Sequence, residues 1–162
     1  MYINVAQLLK ENVGSSRKIH IDEADINEDI NHIEGSLTLI RTECSILVEG
    51  RLTVTISGIC SRCLSCFNYN VDIDFSEEYF QNEDKSSGSF LSRSSDSFTI
   101  DKNHDIDLSD AIIQYTSLAT PMKLLCRTDC AGICSCCGQN LNESYCSCAN
   151  AASIKHRIKS FN

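Results

Sequence analysis

The spacing of eleven cysteines constrains this 162-residue chain more than any other feature of its sequence. A chain of this length can bury a hydrophobic core without covalent cross-links, so the cysteines are not needed simply to hold a small fold together. The first residues have neither the basic lead nor the apolar run of a secretory signal, and no stretch reaches the roughly 18 apolar residues of a membrane span. We therefore expect a cytoplasmic protein whose thiols are reduced or bound to metal, with no membrane association.

Eight of the cysteines lie in two clusters whose spacing is typical of metal ligands. The first cluster is the pair Cys60 and Cys63. The second comprises Cys126, Cys130, Cys134, Cys137, Cys146 and Cys148. Structural zinc is often bound by four thiolates in a tetrahedron, and a two-residue spacer lets one turn offer two sulfurs to one ion. A glycine directly after the second cysteine, as at Gly138, suits the tight turn that such a motif makes.

The spacing suggests that these eight cysteines are divided between two ions. One site would be formed by Cys134, Cys137, Cys146 and Cys148, and the other by Cys60, Cys63, Cys126 and Cys130. Cys44, Cys66 and Cys136 are left over, the last because adjacent residues seldom direct their side chains at one ion. A single site with the remaining thiols free is the alternative. We therefore expect one or two structural zinc ions.

Other thiol chemistries are compatible with parts of this pattern. Four thiolates alone do not distinguish zinc from an iron–sulfur cluster. The spacing of Cys130, Cys134 and Cys137 is that of radical SAM enzymes, but those enzymes carry the motif early in a large barrel, and only 25 residues follow it here. Cys60 and Cys63 are also spaced as a redox pair, although a thioredoxin-like site needs a helix directly after the motif. No hydrolytic or nucleotide-binding motif is present, so we expect neither catalytic residues nor a small-molecule substrate.

Long alternations of apolar and polar residues predict an antiparallel sheet in the first half of the chain. Three runs have a period of two, which gives each strand one buried and one solvent-facing side. They cover 33–39, 46–56 and 67–75, and Ile19 and Ile21 lie in a possible earlier strand. Because such long strands curl, the expected fold is α+β and mainly β, with a barrel-like antiparallel sheet, one helix and a Cys-rich zinc-binding C-terminal segment.

A single helix is predicted after these strands, and it helps to define the domain boundaries. Its apolar positions are Leu108, Ile112, Tyr115 and Ala119, its N-cap would be Asp107 or Ser109, and Pro121 would end it. The expected organisation is a β domain with this helix over 1–119, a zinc element lying against it over 120–149, and a basic tail over 150–162. A serine-rich stretch over 82–97 is expected to form a flexible loop within the β domain.

Charge is distributed unevenly along the chain. The net charge is −8, and the first 100 residues carry 8 lysines and arginines against 16 aspartates and glutamates. This balance lacks the basic surface of a protein that grips duplex nucleic acid through its phosphates. We therefore expect a basic protein partner and leave direct contact with RNA open.

Two sets of short motifs follow one another along the chain. The first set is Gly35-x-Leu37-x-Leu39-x-Arg41, Val48-x-Gly50-x-Leu52 and Cys60-x-Arg62-Cys63-Leu64. The second set is Ile106-Asp107-Leu108, Pro121, Leu125-Cys126, Cys130-x-Gly132-Ile133-Cys134-x-x-Cys137-Gly138, Asn140-Leu141-Asn142 and Cys146-x-Cys148. In this order, over about 33–148, they resemble the YceD family of large ribosomal RNA subunit accumulation proteins.

The resemblance implies a cytoplasmic protein, bacterial or from an organelle of bacterial origin, that is needed for normal accumulation of large-subunit ribosomal RNA. It implies as partner a large-subunit ribosomal protein or a pre-large-subunit particle, because genes of this family often neighbour that of a small zinc-binding ribosomal protein. No catalytic residue comes with the family, so the expected function is that of a non-enzymatic ribosome-biogenesis factor. A thiol redox or metal-handling protein and a zinc-ribbon interaction adaptor are the alternatives.

Overall fold

A computed structural model describes residues 1–24, 30–81 and 98–150. The chain divides into two compact units, which we call the sheet unit (Met1–Ser57 and Tyr69–Thr120) and the cysteine unit (Gly58–Asn68 and Pro121–Asn162). The first CxxC motif therefore belongs to the same unit as the C-terminal cysteines, whereas the sequence placed it within the β domain. The predicted loop over 82–97 and the predicted basic tail beyond residue 150 lie outside the described residues.

The described residues form seven strands, one α-helix and two short 3₁₀ turns. The strands are β1 (Tyr2–Asn4), β2 (Ser16–Ala24), β3 (Ile30–Arg41), β4 (Ser45–Ile59), β5 (Cys66–Gln81), β6 (Thr99–Ile100) and β7 (Asp105–Asp107). Helix α1 covers Ser109–Ala119, and the 3₁₀ turns cover Leu8–Lys10 and Ser147–Asn150. No helix in the described part of the chain is long and apolar enough to cross a membrane.

One seven-stranded sheet, in the order β1-β7-β6-β5-β4-β3-β2, curls into a half-barrel. Strands β2, β3 and β4 pair antiparallel in chain order, with Leu37 of β3 opposite Ile19 of β2 and Gly50 of β4. Strands β5 and β6 pair in parallel, with Phe80 opposite Thr99. The mainly β fold with one helix is confirmed, but the sheet is mixed rather than purely antiparallel.

The apolar positions of the predicted alternations line one side of the sheet. The fully buried side chains there include Ile33, Leu37, Leu39, Ile46, Val48, Leu52 and Val54. The intervening residues of β4, such as Glu49 and Arg51, are exposed. Because successive side chains of a strand point to opposite faces, this pattern fixes which face of the sheet covers the core and which meets solvent.

Helix α1 closes one side of this core with its apolar stripe. Ala111, Ile112 and Thr116 are buried, and the ring of Tyr115 lies 5.4 Å from that of Phe75 between centroids. The Tyr115 hydroxyl donates a hydrogen bond to Glu77 at 2.7 Å. The N-cap residue is Leu108, not Asp107 or Ser109; the Asp107 carboxylate instead accepts from the Ser109 N–H at 2.9 Å.

Two glycines allow neighbouring parts of the sheet to approach closely. Gly35 has a φ of +147°, and a Cβ there would overlap the Arg51 carbonyl and lie 2.9 Å from the Leu52 Cα. A Cβ on Gly50 would overlap the Phe75 ring and lie 2.9 Å from the Leu37 Cδ2. The glycines in the first set of motifs therefore occupy positions where backbone or core side chains leave no room for a larger residue.

We expect Gly50→Ala to destabilise the sheet unit by about 1 to 3 kcal/mol, because the added methyl group overpacks the core beside Phe75. Urea unfolding followed by circular dichroism measures the change. The exposed neighbour provides the control, since Glu49→Ala should alter the free energy of unfolding by less than about 0.5 kcal/mol. Phe75→Leu should recover part of the loss in the Gly50→Ala protein; equal losses with and without Phe75 would contradict this explanation.

Candidate metal centre

Two groups of four cysteines converge within the described part of the cysteine unit. The first site consists of Cys60, Cys63, Cys126 and Cys130, and the second site of Cys134, Cys137, Cys146 and Cys148. In each group all four sulfur atoms lie within 4.8 Å of one another. These are the same two groups into which the sequence spacing divides the eight cysteines.

The distances between sulfur atoms fit four-coordinate metal binding. The Sγ atoms of Cys60 and Cys130 are 3.7 Å apart, and those of Cys63 and Cys126 are 3.6 Å apart. A tetrahedron with metal–sulfur bonds of about 2.3 Å has edges of roughly 3.8 Å, whereas a disulfide would require about 2.05 Å. Both groups can therefore hold a metal ion, and four thiolates with no carboxylate or histidine suit a soft or borderline cation.

The first CxxC turn, Cys60–Ser65, connects β4 to β5 and is closed by three hydrogen bonds. The Cys60 N–H donates to the Ser65 carbonyl at 3.0 Å, and the Leu64 N–H donates to the Cys60 carbonyl at 2.9 Å. The Arg62 N–H points at the Cys60 sulfur at 3.5 Å. Backbone donors of this kind stabilise negative charge on a thiolate, as outer-shell partners of a metal site do.

The second CxxC turn, Cys134–Gln139, repeats this hydrogen-bond pattern at equivalent positions. The Cys134 N–H donates to the Gln139 carbonyl at 2.8 Å, and the Gly138 N–H donates to the Cys134 carbonyl at 2.9 Å. The Cys136 N–H points at the Cys134 sulfur at 3.4 Å. One local structure therefore presents two thiols at each site, at the tip of the β4–β5 connection and at the tip of a small hairpin closed by the Ile133–Asn140 bridge.

The residue after the second cysteine of each turn has a left-handed backbone. Leu64 has a φ of +61° and Gly138 a φ of +74°. Glycine adopts this conformation without strain, whereas a side chain makes it costly by roughly 1 to 2 kcal/mol. The second turn thus carries the favourable residue, and the first turn holds an exposed leucine in a strained conformation.

The other two ligands of the first site, Cys126 and Cys130, are held against the CxxC turn by contacts of the segment 124–130. The Ser61 N–H donates to the Leu124 carbonyl at 2.8 Å, and the Arg62 guanidinium donates to the Cys130 carbonyl at 3.1 Å. Phe67 and Leu125 pack beside the sulfurs as a thin apolar layer. Cys60, Cys63 and Cys130 are consequently almost inaccessible, with at most 6% of each residue exposed.

The second site is more open to solvent than the first. Cys137 is exposed, and Cys134, Cys146 and Cys148 are half-buried. Cys146 and Cys148 flank the start of the second 3₁₀ turn, which brings both sulfurs to the same centre. The leftover cysteines Cys44, Cys66 and Cys136 are exposed and lie outside both groups.

Each site combines a thiol with a lowered pKa and a thiol with a raised one. The N–H groups of Cys126 and Cys63 lower the pKa of Cys60 to about 5. Burial, followed by contact with the Cys63, Cys60 and Cys130 thiols, raises the pKa of Cys126 to about 12. Once one thiolate has formed, its neighbours resist ionisation, and a bound cation removes that resistance.

The second site shows the same division. The N–H groups of Cys137 and Cys136 lower the pKa of Cys134 to about 6. Hydrogen bonding to Cys137, and the charge of that residue, raise the pKa of Cys148 to about 12. Each site therefore offers a preformed thiolate and retains at least one proton that a metal ion must displace.

Sequence reasoning did not identify the groups that support these thiols. The backbone donors at Arg62 and Cys136 follow from the CxxC turn itself, so the spacing already implied them. Asn142 is different, because its side-chain amide lies 3.3 Å from the Cys130 sulfur although it belongs to the loop of the second site. The Asn-x-Asn motif was the available signal, but nothing in its spacing shows which thiol it reaches.

Replacing the strained leucine should strengthen the first site. We expect Leu64→Gly to raise zinc affinity at that site two- to fivefold, because it relieves the left-handed strain at the cost of some unfolded-state entropy. Gly138→Leu should lower zinc affinity at the second site about tenfold. Competition with a chromophoric chelator measures both changes, and Leu64→Ala, which keeps a Cβ, should have little effect. A gain in Leu64→Ala equal to that in Leu64→Gly would contradict the strain argument.

With zinc as the probe ion for the two candidate sites, binding should become tighter as the pH rises. Because Cys126 and Cys148 keep their protons near neutral pH in the absence of metal, each ion must release at least one proton. We expect the apparent affinity of both sites to increase at least about tenfold per pH unit between pH 6 and 8. Calorimetric titration in buffers of different ionisation enthalpy counts the protons, and Cys66→Ser should leave the count unchanged. An affinity independent of pH would show that the thiols are already ionised.

Comparison with known proteins gives one family. The family model described as large ribosomal RNA subunit accumulation protein YceD matches residues 48–160. An uncharacterized protein of Mycobacterium tuberculosis (strain ATCC 25618 / H37Rv) is 31% identical over 93 residues, which cover 57% of this chain and 44% of that protein. An uncharacterized protein of Mycobacterium leprae (strain TN) is 27% identical over 96 residues, which cover 59% of this chain and 43% of that protein. No solved structure matches the chain.

The family match includes both groups of cysteines, most of strand β4 and all of strand β5. The chain spans less than half the length of the curated relatives that it matches. Residues 48–160 are more than half of the 162 residues, and the motifs identified in the sequence extend on either side of the first site. The chain therefore belongs to the YceD family of large ribosomal RNA subunit accumulation proteins.

Proposed function

We propose that this protein is a non-enzymatic ribosome-biogenesis factor that supports the accumulation of large-subunit ribosomal RNA. It would act by binding a large-subunit ribosomal protein or a pre-large-subunit particle. The observation that carries the proposal is the family match over residues 48–160, since the family is described by its role in ribosomal RNA accumulation. Two features support binding rather than catalysis. The sheet has a solvent-facing groove that a partner could occupy, and the two cysteine groups are suited to structural metal ions.

The two cysteine sites are proposed to hold structural zinc. Structural zinc sites close all four positions with protein ligands, whereas catalytic sites leave one open, and both groups here supply four thiols. An ion at each site would stabilise loops that have only a small apolar core of their own, formed around Cys60, Cys63 and Cys130. An iron–sulfur cluster would use the same ligands, and elemental analysis of the purified protein distinguishes the two.

The solvent-facing side of the sheet is the proposed binding surface for a basic partner. It forms a shallow groove of about 960 Å³ in which the three carboxylates of Glu34, Asp72 and Asp74 outnumber the two cations of Lys18 and Arg51. Side-chain hydrogen bonds hold part of it in place, with Arg51 donating to Asp74 at 2.9 Å and Thr53 donating to Asp72 at 2.7 Å. Exposed, partly ordered carboxylates favour association with a positively charged surface and make the rate of encounter dependent on salt.

Each occupied zinc site would add further negative charge. Four thiolates and one Zn²⁺ carry a net charge of about −2, so two such sites strengthen the acidic balance of the chain. The acidic balance argues against binding of RNA through bulk charge and for recognition of a basic ribosomal protein. The charge of the chain thus supports a basic partner, and the family description supports a role in the accumulation of large-subunit ribosomal RNA.

The geometry favours metal binding over the alternative of a redox pair. Cys60 and Cys63 each lie beside a thiol from the 126–130 segment, at 3.7 and 3.6 Å. A CxxC redox site needs one partner for each sulfur and an accessible nucleophile, whereas Cys60 is fully buried. A zinc-ribbon adaptor unrelated to ribosomes has the same local geometry, and a ribosome-specific readout is needed to separate it.

Depletion of the protein in its own cell should reduce large-subunit ribosomal RNA and the large-subunit peak in sedimentation. Wild-type protein should restore both, whereas Glu34→Lys/Asp72→Lys should not, because the charge of the proposed binding surface is reversed. The matched control is Glu11→Lys/Glu43→Lys, which makes the same change in net charge at exposed positions outside that groove. Affinity purification at graded salt should recover large-subunit components with wild type and control only.

Normal large subunits after depletion would overturn the ribosomal role and favour the adaptor. Loss of large subunits with full rescue by Glu34→Lys/Asp72→Lys would retain the role and reject the sheet face as the binding surface. Circular dichroism of the purified variants establishes that each one is folded.

A further inference from the structure

Asn142 lies in the loop of one metal site and contacts a ligand of the other. In sequence it falls between Cys137 and Cys146, both of the second site. Its side-chain Nδ2 nevertheless lies 3.3 Å from the Sγ of Cys130, a ligand of the first site. An amide donor directed at a metal-bound thiolate stabilises the negative charge on sulfur and orients the ligand.

The orientation of the Asn142 amide is fixed by its other partners. Its Oδ1 accepts from the Ala131 N–H at 2.8 Å and from the Arg127 Nη2 at 2.6 Å. Its Nδ2 also donates to the Asn140 Oδ1 at 2.8 Å. The oxygen thus faces two donors, and the two hydrogens of Nδ2 face Asn140 and the Cys130 sulfur, so a flipped amide would lose every one of these contacts.

Asn140 connects the same loop to the first CxxC turn. Its Nδ2 donates to the Ser65 Oγ at 3.1 Å and to the Glu143 Oε1 at 2.7 Å. Its Oδ1 accepts from the Asn142 N–H at 3.0 Å as well as from the Asn142 side chain. The two asparagines therefore form a continuous hydrogen-bonded link from the second-site loop to both halves of the first site.

We propose that Asn142 couples the two metal sites, so that zinc bound at the second site tightens zinc binding at the first. An ion held by Cys137 and Cys146 fixes both ends of the loop that carries Asn142, which keeps its amide on Cys130. Without that ion the loop is held at Asn142 only by the hydrogen bonds described above, and the donor to the Cys130 thiolate is held less firmly. By thermodynamic reciprocity, zinc at the first site tightens the second by the same factor.

Because the two sites differ in solvent exposure, the two ions should be lost in a fixed order. Three ligands of the first site are buried and the fourth, Cys126, is half-buried, whereas Cys137 of the second site is exposed. A chelator or a competing protein therefore reaches the second ion first, and its removal loosens the buried one. The half-loaded protein would therefore be less populated than it would be with two independent sites. This inference rests on the proposal that both sites bind zinc.

Zinc affinity of the first site in four full-length proteins tests the coupling. They are wild type, Asn142→Ala, Cys134→Ser/Cys137→Ser, which removes the second site, and the combination of these substitutions. Competition with a chromophoric chelator gives the affinity, and cadmium-113 NMR of the cadmium-loaded proteins assigns each ion to its site. Asn142→Ala alone should weaken the first site about tenfold, as loss of an outer-shell partner typically does. In the protein that lacks the second site it should have little further effect.

Asn142→Asp serves as the conservative variant. It keeps an acceptor for Ala131 and Arg127 but replaces the donor that faces the Cys130 sulfur by a carboxylate oxygen. It should therefore weaken zinc binding at the first site at least as much as Asn142→Ala does. It should also shift the cadmium resonance of that site. Gln139→Ala is the matched control, because Gln139 donates to Ser144 in the same loop at 2.6 Å without reaching a thiol of the first site. It should leave first-site affinity within about twofold of wild type.

The outcomes separate the coupling from the metal proposal itself. If wild type binds fewer than two ions, the proposal of two zinc sites fails. If it binds two ions but Asn142→Ala weakens the first site equally with and without the second site, Asn142 acts locally and the coupling is wrong. Unchanged first-site affinity in Asn142→Asp would also overturn it.

Discussion

The convergence of four thiols from distant parts of the chain is the constraint on which the cysteine unit depends. Cys60 and Cys130 are 70 residues apart in sequence, yet their sulfurs lie 3.7 Å apart. Around them the buried core consists of three cysteines with a thin layer of Phe67, Leu125 and Cys126. Burial of so little apolar surface contributes little against the entropy of ordering these loops, and an ion at the proposed metal site would add stability by tying the four thiolates together.

Use of one local structure at both sites has a physical reason. The CxxC turn presents two sulfurs and a backbone donor with few residues, and it needs only a hairpin tip on which to form. The second turn begins from the Ile133–Asn140 bridge and carries glycine at the left-handed position. The first turn begins from the long strands β4 and β5, whose extensive pairing in the sheet unit can sustain a strained leucine at Leu64. The better-supported turn therefore tolerates the less favourable residue.

The sequence is sufficient to predict those features that depend on local pattern alone. Strands β3, β4 and β5 are long enough for their period-two alternation to stand out, and the two-residue spacing within 60–63 and within 134–137 indicates that one turn offers two sulfurs. Strands β1, β6 and β7 have only two or three residues, so no period can be recognised in them. No pattern within β5 or β6 specifies that these two strands pair in parallel.

The role of Asn142 was out of reach for a related reason: a side-chain contact between two loops is a property of their packing, and sequence spacing reports only on single turns. Gly50 illustrates the same limit. A glycine is required there because the ring of Phe75, 25 positions later on the neighbouring strand, leaves no room for a side chain. The reason for a particular residue at such a motif position becomes clear only when the residue that it contacts is known. Both residues belong to the motifs that resemble the family, which indicates that these motifs record packing constraints as well as metal ligands.

Hydrogen bonds between side chains of the proposed binding surface, the solvent-facing side of the sheet, connect the fold to the proposed binding role. Cross-strand bonds from Arg51 to Asp74, Thr53 to Asp72 and Thr55 to Asn70 run along β4 and β5, so polar side chains are restrained before any partner arrives. A surface whose side chains are already ordered loses less entropy on association than a flexible one. Since these strands are held by a packed core that leaves no space at Gly50, the same packing sets the strand positions from which the charged side chains project. Under the proposed function, this surface would offer its carboxylates to a basic component of the assembling large subunit, a role that would require binding alone.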